Sequence, residues 1–550
     1  MKKLAKALLG LIAAVAMLFT GLVAPVTALA ADTHTLTINN AEADHTYEAY
    51  QVFSGTLSAN GNTLANIQWG SGVKGDDILT VLQNDSAFGG GDQNAFKDVT
   101  DAAGVAEKLS AYGNDSTETK AFAKIVGNNL TTAAGTSAAG TEGADGKYTY
   151  TIGNLADGYY LVKDKDATVP TDGAYTDFIL KIVKDTTATP KSNVPTVEKK
   201  VKDVNDSDSS QADNDKWQDS ADHDINDKIN YQLTGTLPSN YDSYTTYSYT
   251  FTDILSAGLT YDDGSAKVYV VNGEERTEVT DQFTVTGPEE YAPADQETAY
   301  QPVKNEAGEV VAQAHKLTFA PKEGDLKKIT DATKDSKIVV EYTATLNEYA
   351  KVGSAGNPNK VDLTFSNNPN GEGEGKTPED EVIVFTFKLT VNKVDGERNS
   401  LAGAGFSLYK WNGAAYGDTP VKTYTADTTT TSFDFSGLDD GQYKLVEDTA
   451  PDGYNKIADI EFKIVATHTQ DDGNPARTLT VLNITDLEGN NMNGFTIDGS
   501  KNVSTDVVNK KGSELPETGG IGTTILYVAG AVCVIAAGLW FGLRRRNASR

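Results

Sequence analysis

The chain has 550 residues, 77 acidic and 47 basic, for a formal charge of −30. That balance excludes partners that are themselves polyanions, such as nucleic acid and anionic lipid surfaces. The length implies several domains, and the one cysteine, Cys533, excludes a disulfide framework.

Lys2, Lys3 and Lys6 precede an apolar stretch over 8–23, and Ala28-Leu29-Ala30 supplies small residues after it. This order reads as a cleaved secretory signal over residues 1–30. Cleavage is expected after Ala30, with Ala31 the near alternative.

Beyond the signal the text is β-rich. Thr35-Leu36-Thr37-Ile38 alternates, as do residues 147–152 and 178–183, with Asn, Asp and Gly as punctuation. The spacing predicts short helices at 76–83 and 101–112. A first domain is expected over 31–190. Pro190 and Pro195 then hold an extended connector, 191–195. A second domain is expected over 196–370, from the strand at 196–201 to the closing strand at 361–369. Residues 371–381, rich in Gly and acid, read as a linker. A third domain follows over 382–512. Short strands with regular turn signals predict an all-β chain of tandem Ig-like sandwiches.

Two of these domains place polar groups on apolar faces. In Phe387 to Val394, the inward set Phe387, Leu389 and Val391 continues at period two to Lys393. In Gly441 to Glu447, the set containing Tyr443 and Leu445 also contains Glu447. In the last strand, Val507 leads at the same parity to Asn509. A buried amine and a buried carboxylate both drift towards neutrality. A neutral amine is a nucleophile, and a protonated acid polarises an amide. The expected product is a Lys393–Asn509 isopeptide bond with loss of ammonia, assisted by Glu447. The second domain repeats the pattern: Lys199 lies between Val197 and Val201, Asp253 follows Tyr249 and Phe251, and Asn367 follows Leu363 and Phe365. Parity therefore selects a Lys199–Asn367 bond assisted by Asp253. Lys200 and Asn368 are the alternatives if a bulge shifts register. The first domain has Lys163 where the third has Glu447, and no such bond is expected there.

The C-terminus carries Leu515-Pro516-Glu517-Thr518-Gly519, then an apolar run over 521–543, long enough for a bilayer. Arg544, Arg545 and Arg546 follow, in a tail of 544–550 that stays cytoplasmic by the positive-inside bias. This order resembles the sorting signal read by the sortases of Gram-positive bacteria. The resemblance implies cleavage between Thr518 and Gly519, with Thr518 held as a thioester until an amine attacks.

Residues Tyr443 to Tyr454 match the pilin E-box, YxLxExxAPxGY, position by position. The chain from 31 to 512 is similar to major pilins of the sortase-assembled type, with collagen-adhesin B-type domains. That resemblance implies the same role for Glu447, Lys393 and Asn509. It further implies a pilin lysine near the end of the first domain, which Thr189-Pro190-Lys191 supplies as Lys191. Thr518 of one subunit would join Lys191 of another, making the chain a sortase substrate and not an enzyme. The implied partners are a pilin-specific and a housekeeping sortase, other copies of the chain, minor pilins and peptidoglycan. A host or extracellular-matrix ligand is compatible with this reading, and no cofactor is implied. The alternatives are a monomeric wall-anchored adhesin and a minor pilin of tip or base.

Other patterns carry less. Residues 371–377 have a P-loop flavour, but Asn370 stands where the first glycine is required. The acidic stretch 203–224 reads as a solvated loop, with a metal-dependent adhesion loop as the rival reading. Five scattered histidines indicate neither a zinc site nor a triad.

Overall fold

The computed structural model describes residues 33–40, 43–59, 61–114, 116–144, 146–190, 194–208, 216–369, 371–468, 479–512 and 521–547. Strands dominate throughout.

In the first domain, β1 (His34–Asn40) lies between β2 (Tyr148–Leu155), antiparallel, and β3 (Thr186–Ala188), parallel. A second sheet is built on Tyr47–Leu57, Gly158–Asp164 and Asp177–Ile182. Leu36, Ile38, Tyr150 and Val162 fill the space between the sheets. Three helices cover the outer face: α1 (Gly75–Leu82), α2 (Ala102–Leu109) and α3 (Thr117–Gly127). Asp101 and Ser116 cap the last two by accepting from the amides of Gly104 and Thr119. α3 was not expected, although Ser116 and the spacing of Phe122, Ile125 and Val126 signal it.

The second domain is a sandwich of two sheets. One contains β4 (Val197–Lys202), β5 (Lys228–Thr236) and β6 (Lys337–Leu346); the other contains β7 (Tyr249–Leu255) and β8 (Asn357–Ser366). Tyr231, Leu233, Phe251, Val340 and Leu363 are fully or almost fully buried between them.

The stretch expected to link domains is structured. Glu374–Lys376 pairs with β8, and so does β9 (Asp380–Phe385). β9 faces two cores. Val382 and Val384 belong to the second domain's core, whereas Ile383 and Phe385 belong to the third's. Alternating side chains along one strand reach both, because successive Cβ atoms point to opposite faces. The boundary after 370 was therefore misplaced: Gly and acid mark turns there, and the apolar run after them is a buried strand.

The third domain opens with β10 (Phe387–Val394) and ends with β11 (Val503–Val508), which pair in parallel with Lys393 opposite Val507. The facing sheet carries β12 (Gly441–Thr449) at its centre. Gly437 has φ +79°, and a Cβ there would meet Ile225 at 2.4 Å, so glycine admits the second domain's loop against the third.

The acidic stretch 203–224 is only in part a solvated loop where it is described: Val204, Asp206 and Asp208 are exposed, but the later part is not. Asp219, Ser220, Asp222 and His223 are buried, and Ser220–Asp222 pairs in parallel with β9. Charged side chains at the junction hold each other: Lys410 Nζ meets Asp206 at 2.5 Å and Asp439 at 3.1 Å, and also pairs with Asp224. His468 Nε2 lies 3.3 Å from Asp222 and 3.4 Å from Asp203. The first domain also touches the second: Tyr175 N donates to Asn367 O at 2.8 Å, and Lys376 N to Thr171 O at 2.8 Å.

The junction should be pH-sensitive. Burial opposes a charge on His468, but Asp203 and Asp222 outweigh it and push its pKa up to about 10. Burial, together with Asp222, also raises Asp439 and Asp440. All three hold protons that the unfolded chain releases at lower pH, so their stabilising effect falls as pH rises. Asp222, pulled down by Asp439 and His468 against burial, acts in the opposite direction and loses its effect only in acid. Thermal melting of residues 31–512 should therefore show stability declining between pH 6.5 and about pH 10, the interval over which His468 titrates. His468→Gln should flatten that slope; an unchanged slope would contradict the assignment.

Candidate isopeptide sites and sorting signal

In the third domain, β10 carries Lys393, β12 carries Glu447, and Asn509 follows β11; all three are completely buried. Asn509 Nδ2 donates to Glu447 Oε1 at 2.8 Å, and the amide of Ile457 donates to Glu447 Oε2 at 2.9 Å. Lys393 Nζ donates to the carbonyls of Val507 at 2.9 Å and Val394 at 3.2 Å. Asn509 N in turn donates to Val394 O at 3.0 Å, which holds the asparagine beside the lysine. Burial lowers the Lys393 pKa, against the pull of Glu447 and Asp395. Asn509 Oδ1 is buried without a hydrogen-bond partner among the described residues. The arrangement presents an amine with weakened proton affinity to an amide whose nitrogen is already held by a carboxyl group. Nucleophilic attack by Lys393 Nζ on the Asn509 amide carbon is the chemistry it permits.

In the second domain, Lys199 and Asp253 are both completely buried and pair directly. Burial lowers the lysine pKa and raises that of Asp253. Lys199 Nζ also lies over the rings of Tyr231 and Tyr342, 5.3 and 5.4 Å from their centroids.

The asparagine beside this pair is Asn359, not Asn367. Asn359 is completely buried on β8; its Nδ2 donates to Tyr342 Oη at 2.7 Å, and its Oδ1 has no hydrogen-bond partner among the described residues. Asn367 follows the opposite end of β8, past the pair Tyr249–Phe365, and its Nδ2 donates to Gly173 O of the first domain at 3.3 Å. At ~3.3 Å per residue the two asparagines stand roughly 26 Å apart. Parity selects a face, not a height along the strand, and both asparagines satisfy it. The signal was present: Asn357-Pro358-Asn359-Lys360 leads straight into Val361 at matching parity. Lys200, the alternative lysine, points outward and pairs with Asp219 at 2.6 Å. Tyr342 was not anticipated either, although it shares the inward face of β6 with Ile338, Val340 and Ala344.

In the first domain Lys163 lies near the surface, 2.6 Å from Asp166. The buried polar pair there is instead His45–Asp164, at 2.7 Å. Lys191 and the sorting residues Leu515, Pro516, Glu517, Thr518 and Gly519 lie outside the described residues. After them comes α4 (Ile521–Asn547), 27 residues long, with Leu526, Val534 and Leu539 exposed. Among the described residues no helix is long and apolar enough to cross a membrane; side chains at both ends of α4 fall outside that set.

Buried lysine–carboxyl–asparagine groups in tandem β-domains, ahead of a C-terminal sorting sequence, define a class: wall-anchored surface proteins of Gram-positive type. Comparison agrees. Residues 387–474 match the SpaA family, a prealbumin-like fold domain, and 507–549 match the LPXTG cell wall anchor motif. The chain is related to the trypsin-resistant surface T6 protein of Streptococcus pyogenes serotype M6, with 27% identity over 305 residues, covering 44% of this chain. That alignment spans 55% of the relative's length. Among solved structures, the T6 backbone pilin of serotype M6 Streptococcus pyogenes is similar at 18% identity and TM-score 0.49, covering 88% of this chain and 99% of that one. The full-length major pilin SpaD of Corynebacterium diphtheriae is similar at 18% identity and TM-score 0.44, covering 88% and 98%. The chain is thus a cell-wall-anchored surface protein similar to Gram-positive backbone pilins.

The geometry predicts that Asn359→Ala reduces the ammonia lost from the ectodomain by one, whereas Asn367→Ala leaves the loss unchanged. Intact mass measurement distinguishes them, and the reverse pattern would restore Asn367 as the bonding residue.

Proposed function

We propose that this chain is the shaft subunit of a covalently polymerised pilus anchored in the cell wall. The observation that carries this reading is the anchor motif at 507–549 on a chain whose second and third domains each offer a buried lysine–asparagine pair. A pilin-specific sortase cleaves between Thr518 and Gly519 and holds the Thr518 carbonyl as a thioester. The Lys191 amine of another copy attacks it, releasing the enzyme thiol and forming an amide. Repetition is head to tail, so the product is a filament and not a closed ring. A housekeeping sortase transfers the base of the fibre to peptidoglycan, minor pilins complete it, and the fibre supports adhesion to a host or matrix ligand. The chain is the substrate in these steps; its own chemistry is directed at itself and happens once.

Within each subunit, Lys393 joins Asn509 with Glu447 as acid–base group, and Lys199 joins Asn359 with Asp253. Each closes a loop of about 100 residues or more, for which the chain-entropy argument gives ~4–5 kcal/mol of stabilisation. Unlike a disulfide, the bond survives reduction. The relative's description as trypsin-resistant fits a chain closed in this way.

Immunoblots of boiled cell-wall extracts test the assembly. Wild type should give a ladder of high-mass species, and Lys191→Ala should collapse it to monomer. A ladder that persists moves the nucleophile to another lysine; no ladder in either strain identifies a monomeric wall-anchored adhesin.

Asp253→Ala should lower ectodomain stability by roughly the same ~4–5 kcal/mol, beyond its effect on packing. Denaturant unfolding of this variant against Lys199→Ala checks it, since both remove the same bond and should unfold at similar denaturant concentrations.

A further inference from the structure

The two sites differ in one respect. In the third domain the carboxyl group touches the asparagine directly, Asn509 Nδ2 to Glu447 Oε1 at 2.8 Å. In the second domain the acid is an aspartate, one methylene shorter, and its described contacts with the asparagine run through a tyrosine. Tyr342 Oη accepts from Lys199 Nζ at 3.2 Å and from Asn359 Nδ2 at 2.7 Å, and donates to Asp253 Oδ1 at 3.0 Å. One hydroxyl therefore contacts the nucleophile, the leaving group and the acid, at a residue 2% exposed. With two acceptances and one donation, its hydrogen-bonding capacity is full.

We infer that Tyr342 is a catalytic residue of the second domain, relaying a proton from Asp253 to the departing nitrogen of Asn359. This rests on the reading of Lys199 and Asn359 as bond partners. Neutral Lys199 Nζ attacks Asn359 Cγ, forming the Nζ–Cγ bond. The proton that Nζ sheds passes to Asp253 Oδ2, its direct partner. As Cγ becomes tetrahedral, the lone pair of Nδ2 is no longer conjugated and becomes basic. In the reactive state Asp253 carries its own proton on Oδ1 and the Oη–Oδ1 hydrogen bond is reversed, so that Tyr342 gives its proton to Nδ2 as it takes the one from Oδ1, leaving Asp253 with the proton received on Oδ2. The Cγ–Nδ2 bond breaks and ammonia leaves. The sum is one amine plus one primary amide giving one secondary amide and one ammonia, with Tyr342 and Asp253 restored. Burial, which raises both Asp253 and Tyr342, favours their protonated forms and hence a concerted transfer without a free phenolate.

The third domain works as an internal clock, since among the described residues its carboxyl group contacts the asparagine directly and not through a hydroxyl. Full-length ectodomain is synthesised in a cell-free system and sampled over time by intact mass and peptide mapping. Tyr342→Phe should slow ammonia loss from the second domain by roughly a hundredfold, the scale of general acid–base catalysis, while loss from the third stays at the wild-type rate. The rate–pH profile of the second domain should also lose the limb that the Asp253–Tyr342 pair contributes. Packing is checked in a Lys199→Ala background, where adding Tyr342→Phe should leave the melting temperature close to that of Lys199→Ala alone. The retained ring keeps its stacking on Tyr231 and Phe319. Equal rates for Tyr342→Phe and wild type would overturn the relay. Slowing without a change in pH profile would assign Tyr342 to packing and also overturn it. No ammonia loss from the second domain of wild type would instead overturn the bond itself.

Discussion

Burial of two lysine side chains in apolar cores is the constraint on which the rest depends. Lys199 and Lys393 are completely buried, each on the first strand of its domain. Withdrawing an ammonium group from water costs several kcal/mol even when it is paired. Such a lysine is therefore a weak contributor to stability as an ion. Converting it to an amide removes the charge and the cost together, and the carboxyl partner no longer has an ion to balance. The same burial that penalises the ion lowers the lysine pKa and so favours the neutral, nucleophilic amine.

The strands involved decide what the bonds do mechanically. In the third domain, β10 and β11 are the first and last described strands and lie parallel, with Lys393 and Asn509 at their C-terminal ends. A bond between Lys393 and Asn509 would carry tension from one end to the other without loading the strands between. In the second domain a bond between Lys199 and Asn359 would pass load from β4 to β8, which pairs with β9. β9 supplies Val382 and Val384 to one core and Ile383 and Phe385 to the other, with about 1.5–3 kcal/mol for each large apolar side chain so buried. The two domains thus share a strand that lies between the two candidate sites.

Much of this was legible in the sequence because it rests on period two. Lys393, Glu447 and Asn509 converge as inward parity requires, and so do Lys199 and Asp253. Asn367 fails because alternation repeats along a strand and carries no height; only register, which pairs Leu255 with Asn359, distinguishes one asparagine from the other. Tyr342 is hidden for a related reason: a tyrosine on an inward face reads as core until its hydroxyl is seen to have polar neighbours. The segment 371–381 misled through composition, since Gly and acid mark turns whether or not a strand follows. The acidic stretch 203–224 misled because charge patterns predict solvation one chain segment at a time, whereas Lys410 and His468 come from another domain.

Tandem mass spectrometry of the proteolysed, reduced ectodomain tests the central claim most directly. The account predicts two branched peptides, one joining Lys199 to Asn359 and one joining Lys393 to Asn509, each lighter by one ammonia than its two arms. Linear peptides carrying free Lys199 and Lys393, or a branch from Lys199 to Asn367, would contradict it.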